Sequence, residues 1–562
     1  MRLFSLPSLA PSSLLKRCLK LLGVGLIVTA IAPVPAQAAE RIYLSYGLLE
    51  RSISFEELEK YADSGELSDD LYVYTSYVNA EQRQQLRSVL KAKAELSPIA
   101  ISQFLYSPQG EILLGRLGQV IQPEARTDGA KAIRAALILA AVDQQKGLSP
   151  LNVVRNFPTR GIRVDLFRTL QIADELEKLV TSTNLYTKAI TAQSSQDASR
   201  LPLPTPLMDL TQRGRNSWEV LPFNLRDEGR VSSTGFVKRR SFPMNLYLPR
   251  SVTQSASSLP LVVISHGLGS DLNTFKYLAE HLASHGFAVA VPEHPGSNSR
   301  QIKALLRGLT DEVTEPSEFH DRPLDITFLL DELTKKAQGD SRLRSINLQR
   351  VGVLGQSFGG YTALALAGAP LNGKSLAETQ CTPEKQVNTF NISLVLQCLA
   401  SQLSNQTYYL GDSRVAAVIA VNPIDSVALG PESIGQIKVP TMMITGNADT
   451  VAPSILEQVI PFTWLHTPER YLVMVDRGTH FSFLADSESN NNSLPIPPEL
   501  IGPNPLLARR YLNGLSLAFF GTYIMNQPAF RPYLTARYTQ FISQDPLRLS
   551  LITQFDSTQV QR

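Results

Sequence analysis

The stretch from Arg350 to Gly360, Arg-Val-Gly-Val-Leu-Gly-Gln-Ser-Phe-Gly-Gly, constrains the fold more tightly than any other part of the chain. Its apolar start, Val351 to Leu354, reads as a strand buried on both faces of a parallel sheet. The Ala- and Leu-rich run from Tyr361 to Ala369 has the spacing of a helix. Between them, Gly355-Gln356-Ser357-Phe358-Gly359 must turn the backbone sharply. Side chains at the flanking positions would run into strand and helix, so both are glycine and the Ser357 hydroxyl stands clear at the apex. Taken alone, the pattern also fits any tight strand-to-helix turn, and the surrounding chain has to decide.

Strand and helix signals alternate around this stretch. Leu259 to Ser265 and Gly286 to Pro292 read as strands, with a helix from Thr274 to Ser284 between them and another from Arg322 to Ala337 beyond. Val415 to Val421, Lys438 to Thr445 and Tyr471 to Val475 are further strands, with a helix from Ser454 between the last two. Short alternating stretches from Trp218 to Pro249 suit antiparallel edge strands. The alternation predicts an α/β fold, a mostly parallel sheet with helices on both faces. Such sheets hold ligands at the carboxyl ends of their strands. Ser357, Asp449 and His480 each follow directly on a predicted strand end, and this shared position singles them out.

Those three residue types form a chemical unit. A serine hydroxyl attacks a carbonyl only when an imidazole takes its proton, and the imidazole needs a carboxylate to fix its tautomer. Only two histidines follow Ser357. His480, in a loop directly after a strand, is the expected base, and His466 sits on an exposed connection. Asp449 is the expected acid, with Asp425, one strand earlier, as a competitor. The oxyanion formed on attack needs preorganised N–H donors. These are assigned to the amides of Phe358 and of Leu268, in Ser265-His266-Gly267-Leu268-Gly269, with His266 supporting the loop. Chemistry of this kind calls for no metal and no organic cofactor. His281 and His285 have a spacing that could bind metal, but no carboxylate accompanies them, and a solvated helix face is expected there.

Several motifs together resemble the platelet-activating-factor acetylhydrolase and dienelactone-hydrolase branch of the α/β-hydrolases. They are His266-Gly-Leu-Gly269, Leu282-Ala-Ser-His-Gly-Phe287, Glu293-His-Pro, Arg322-Pro-Leu-Asp325 and Gly355-Gln-Ser-Phe-Gly-Gly360. Val439-Pro-Thr-Met-Met-Ile through Asp449-Thr-Val-Ala-Pro453, with Gly478-Thr-His-Phe481, is similar to cutinase-like polyester hydrolases. The resemblance covers about residues 216–545. It implies an α/β-hydrolase acting on lipid-like or short-chain acyl esters, with Ser357 as nucleophile, His480 as base, and Leu268 and Phe358 as oxyanion donors. Thioester or lactone hydrolysis, and a binding protein on the same fold, stay open. Gln356 replaces the usual His before the serine, a change expected to touch packing more than chemistry. Asn422 stands where the acetylhydrolases carry their acid, which again directs the role to Asp449.

The flanks complete the plan. A basic start (Arg2, Lys16, Arg17, Lys20), an apolar run from Leu21 to Ile31 and the triplet Ala36-Gln37-Ala38 predict a cleaved signal peptide over 1–38, with an uncleaved anchor as the alternative. These four positive charges distort the formal charge of +3: without them 49 basic residues face 50 acidic ones, which gives no basic face for nucleic acid. The mature chain is expected to be exported, periplasmic or extracellular, with no membrane span. Cys381 and Cys398 are expected to pair there. Residues 40–180 read as an all-helical domain, with a capping box at Ser54 to Glu57, and resemble a domain of unknown function fused to hydrolases of this kind. A protein partner is one possible role for it. Residues 181–215, polar and then proline-rich, read as a linker. Residues 370–412 form an insertion that could cover the site, and 485–505 a flexible loop before an apolar helix from Arg509 to Thr522.

Overall fold

A computed structural model describes residues 39–556 apart from 76–78, 95, 251–257, 374–375, 377–380, 383–384, 387–388, 405 and 486–497. The predicted signal segment lies outside the described residues, as does most of the loop 485–505. Contacts divide the chain into two units, residues up to Pro98 with Leu117–Thr169, and Ile99–Arg116 with the chain from Leu170 onward.

The first unit holds the expected helices Phe55–Ser64, Ala80–Lys91 and Ala130–Val142, and the capping box is formed: Glu57 N–H donates to Ser54 Oγ and Ser54 N–H to the Glu57 carboxylate. It is not all-helical. Four short strands, β1 (Arg41–Tyr46), β2 (Leu49–Ser54), β3 (Ile121–Pro123) and β4 (Gly161–Asp165), form a sheet in the order β2-β1-β4-β3. Ile42 and Leu44 of β1 pair with Ile162 and Val164 of β4. These strands are too short, and too scattered among helices, for a two-residue period to show against the helical one.

In the second unit the alternating runs form one nine-stranded sheet. Its strands are β5 (Ser217–Val231), β6 (Val237–Arg250), β7 (Leu259–Ser265), β8 (Ala288–Pro292) and β9 (Ile346–Gln356). After the small hairpin β10 (Leu371–Asn372) and β11 (Thr407–Tyr408), it gains β12 (Val415–Val421), β13 (Thr441–Gly446), β14 (Arg470–Val475) and β15 (Leu549–Ile552). The order is β15-β14-β13-β12-β9-β7-β8-β6-β5, parallel from β8 to β14 and antiparallel at both edges. β15 lies past residue 545, so the sheet extends beyond the span that the motif resemblance covers.

Successive side chains feed two cores, one on each face of the sheet. Val351, Val353 and Val418 pack with the helices Glu318–Ala337 and Phe358–Leu366. Leu354, Ile419 and Ile444 pack with Lys276–Ser284 and Pro505–Tyr523.

Two expectations give way here. The first half of the supposed linker is the end of one long helix, Leu166–Ser199, whose buried residues Tyr186, Ile190, Ser194 and Ala198 recur every four positions beneath a polar exterior. His281 and His285 do not face solvent freely: His281 is buried, and the His285 ring nitrogen Nε2 meets the carbonyl of Gln212 at 2.9 Å. The segment before β5 folds over that helix face, as the Gly214 N–H bond to Ser284 Oγ shows. The Cys381–Cys398 disulfide is formed within the insertion.

A buried ionic cluster ties the β5–β6 hairpin to the helix Glu318–Ala337. Arg240 spans Glu318 (2.7 and 3.1 Å) and Asp325 (2.7 and 2.8 Å), and Arg230 donates to Asp227 at 2.7 Å and Asp325 at 3.0 Å. Burial opposes the charge on Asp325, but Arg240 and the His294 hydrogen bond hold its carboxyl well below the usual carboxylate range. Its contribution is therefore present at neutral pH and lost as acid protonates it. Removing one partner strands the others without water. Asp325→Ala should cost about 3–5 kcal/mol in urea denaturation, whereas Arg239→Ala, in the exposed pair with Glu228, should leave the midpoint in place.

Candidate active site

The turn after β9 places Ser357 in a strained conformation, φ 55° and ψ −117°, just before the helix Phe358–Leu366. Glycine is required around it. A Cβ on Gly355 would stand 1.8 Å from the Gly359 carbonyl oxygen, and one on Gly359 2.0 Å from that of Ser265. The strain is held by neighbours: Ser357 N–H donates to the Val421 carbonyl of the adjacent strand at 2.9 Å.

His480, in the loop after β14, reaches Ser357 Oγ with Nε2 at 2.9 Å and Asp449 Oδ2 with Nδ1 at 2.7 Å. Asp449 follows β13. Its second oxygen accepts the amides of Val451 at 2.8 Å and Ala452 at 2.7 Å, so the carboxylate is held from both sides. All three residues are buried, which strengthens these bonds relative to water. Asp425 is not part of this chain of contacts. It is fully buried beside Glu457, its carboxyl oxygens have no hydrogen-bond partner among the described residues, and burial followed by Glu457 raises it well above the usual carboxylate range. His466 is exposed and packs near Gly435, away from the serine.

The two amides expected to meet the oxyanion follow two adjacent strands. Ser265 at the end of β7 is in register with Gly355 of β9, which brings the loop His266 to Gly269 over the serine. A Cβ on Gly267 would stand 3.3 Å from that of Ser357. Leu268 lies in the turn closed by Ser270 N–H donating to the Gly267 carbonyl at 3.3 Å, and Gly269, at φ 73°, donates to the Ser297 carbonyl at 2.8 Å. Phe358 opens its helix, where an amide has no acceptor within the helix. His266 supports the loop as expected: its Nδ1–H donates to the Gly267 carbonyl at 2.7 Å and its Nε2 accepts the His294 amide at 3.0 Å. Burial, then the nearby Arg322, keeps this imidazole neutral.

Arg322 bridges the Ser265–Gly269 loop and the helix that begins at Phe358. Its guanidinium, fully buried, donates to Ser297 Oγ at 2.7 Å, Thr362 Oγ1 at 3.2 Å, Ser265 Oγ at 3.3 Å and the His266 carbonyl, and lies 4.6 Å from the Phe358 ring centre. Burial pushes its pKa down to about 9, still protonated at neutral pH. One turn on, Asp325 accepts from His294 Nδ1 at 2.8 Å, and His294 Nε2 meets Ser265 Oγ at 3.0 Å.

Sequence reasoning missed the role of two amides that clamp His480. Asn422, at φ 41° beyond β12, donates to the carbonyls of Thr479 at 3.1 Å and His480 at 3.3 Å and accepts the Gly446 amide at 3.0 Å. Gln356 donates to the same His480 carbonyl at 3.1 Å, so its part exceeds packing. The signal was an Asn at a strand end, since Asn tolerates the left-handed region better than most residues.

Residues 38–165 match a family described as alpha/beta hydrolase of unknown function (DUF1400), and residues 246–322 match platelet-activating factor acetylhydrolase, isoform II. The chain is thus similar to hydrolases of the branch its motifs resemble, and its fold is that of an α/β-hydrolase. The second match spans Leu268 and Arg322; Ser357, Asp449 and His480 lie outside both. Among the described residues no helix is long and apolar enough to cross a membrane.

The short Asp449–His480 bond should give a downfield imidazole N–H resonance in proton NMR. Asp449→Asn should abolish it and Asp425→Asn should leave it, whereas the reverse pattern would move the acid to Asp425.

Proposed function

We propose that this chain is an exported serine hydrolase that cleaves carboxylic esters, lipid-like or short-chain, through an acyl-enzyme on Ser357. The observation that carries the reading is the His480 ring, bonded at 2.9 Å to the serine oxygen and at 2.7 Å to the Asp449 carboxylate. The similarity to hydrolase families supports an esterase-type enzyme.

The mechanism follows from that geometry. As Ser357 Oγ bonds the ester carbonyl carbon, its proton passes to His480 Nε2, and Asp449 balances the imidazolium and keeps Nδ1–H fixed. The carbonyl oxygen becomes an oxyanion between the amides of Leu268 and Phe358, donors already in place before charge develops. Collapse breaks the ester C–O bond, and His480 returns its proton to the departing alcohol. A water molecule then gives a proton to His480 as its oxygen attacks the acyl carbon, and the acid leaves with Ser357 restored. The basic and apolar start of the chain, ending in Ala36-Gln37-Ala38, supports export.

A fluorophosphonate probe should label the purified protein on the peptide bearing Ser357, and Ser357→Ala should abolish labelling. Asp449→Asn should lower kcat on p-nitrophenyl esters by roughly 10⁴-fold with little change in fold. Well-folded protein that takes no label would replace this reading with that of a binding protein.

A further inference from the structure

Residues 99–116 sit in sequence within the N-terminal region, yet by their contacts they belong to the unit that holds the nine-stranded sheet. The helix Pro98–Tyr106 and the first part of Pro108–Val120 carry them. Their composition is largely apolar. From Ile99 to Tyr106 only Ser102 and Gln103 are polar, and Glu111 and Arg116 are the only charged residues of the segment. Ala100, Ile101, Leu105 and Leu114 are buried, while Ile99 (62% exposed) and Tyr106 (60%) keep apolar surface in water.

The segment is tied to the catalytic unit at two places. Near its start, Gln103 lies against Gly308, where an added Cβ would stand 2.8 Å from Gln103 Nε2. Gly308 ends the turn after the helix Ser299–Leu306. The beginning of that helix is bonded to the oxyanion loop: Ser299 N–H donates to the Ser270 carbonyl at 2.9 Å, and Gly269 N–H to the Ser297 carbonyl at 2.8 Å. At the other end, Arg116 donates to the Thr389 carbonyl and lies 4.3 Å from the Phe390 ring centre, in the insertion. Four residues on, Ser393 N–H donates to the Val451 carbonyl at 2.9 Å, and Val451 N–H holds Asp449 at 2.8 Å.

Sheet order gives these two attachments a meaning. In β13-β12-β9-β7, the strand that ends at Ser357 has the oxyanion loop of β7 on one side and the Asp449 loop of β13 on the other. The segment is thus fastened to supports of both loops that flank the serine. Helical pieces of eight or nine residues, each about 13 Å long, supply the reach.

We propose that residues 99–116 form the outer wall of the substrate site and bind the hydrocarbon part of the ester, so that this stretch of the N-terminal region selects longer acyl chains over acetyl. The inference rests on the serine-hydrolase reading and assigns that site its substrate class. An apolar wall of this kind gains affinity with each methylene it covers.

The test uses the full mature chain and a long-chain alkyl fluorophosphonate with a diazirine at the chain end. After reaction with Ser357 and illumination, peptide mapping should find the cross-link within 99–116. A probe on Ser357 cross-linked only elsewhere overturns the wall and leaves the hydrolase standing. A probe that never reaches Ser357 overturns both. As a second measurement, Arg116→Ala, which frees the segment from the insertion, should lower the kcat/KM ratio of a long-chain over an acetyl p-nitrophenyl ester by roughly tenfold. An unchanged ratio contradicts the proposal.

Discussion

The site depends on a buried positive charge. Arg322 is cut off from water and held among Ser265, Ser297, Thr362 and the His266 carbonyl, with the Phe358 ring against its face. A desolvated guanidinium is costly unless its donors are met, so each partner is fixed in turn. Two of them, His266 and Phe358, belong to the elements that carry the proposed oxyanion donors. The acidic residues of the same helix complete the arrangement: Asp325 orients His294, Glu318 accepts from Ser297 Oγ at 3.0 Å, and Arg240 neutralises both carboxylates. These bonds fix the Ser265–Gly269 loop and the start of the Phe358 helix on one side of the serine.

On the other side, neutral side chains hold the backbone of His480. Asn422 and Gln356 grip the carbonyl of His480 from two strand ends, and loop amides hold Asp449. Amides bonded to its backbone carbonyl fix the place of His480, while the Asp449 carboxylate fixes its ring.

Much of this was legible in the sequence because it depends on local pattern. Val351 to Leu354 had to be a buried strand, Gly355 and Gly359 had to be glycine, and Ser357, Asp449 and His480 shared a strand-end position that topology converts into proximity. What was hidden depends on distance or on weak periodicity. The strands Arg41–Tyr46 and Gly161–Asp165 pair across more than a hundred residues, so neither shows its partner in its own stretch. The helix through Ser199 looked like a linker because only one residue in four is buried. Asn422 was noticed for the acid it replaces, but its hold on His480 spans 58 residues and leaves no local signature.

The central claim is that Ser357 attacks and that the amides of Leu268 and Phe358 receive the resulting oxyanion. A crystal structure of the protein inactivated with a fluorophosphonate tests it most directly. The account predicts phosphorus bonded to Ser357 Oγ, with the phosphoryl oxygen about 3 Å from both amide nitrogens. An adduct on another residue, or a phosphoryl oxygen turned away from these two amides, would contradict it.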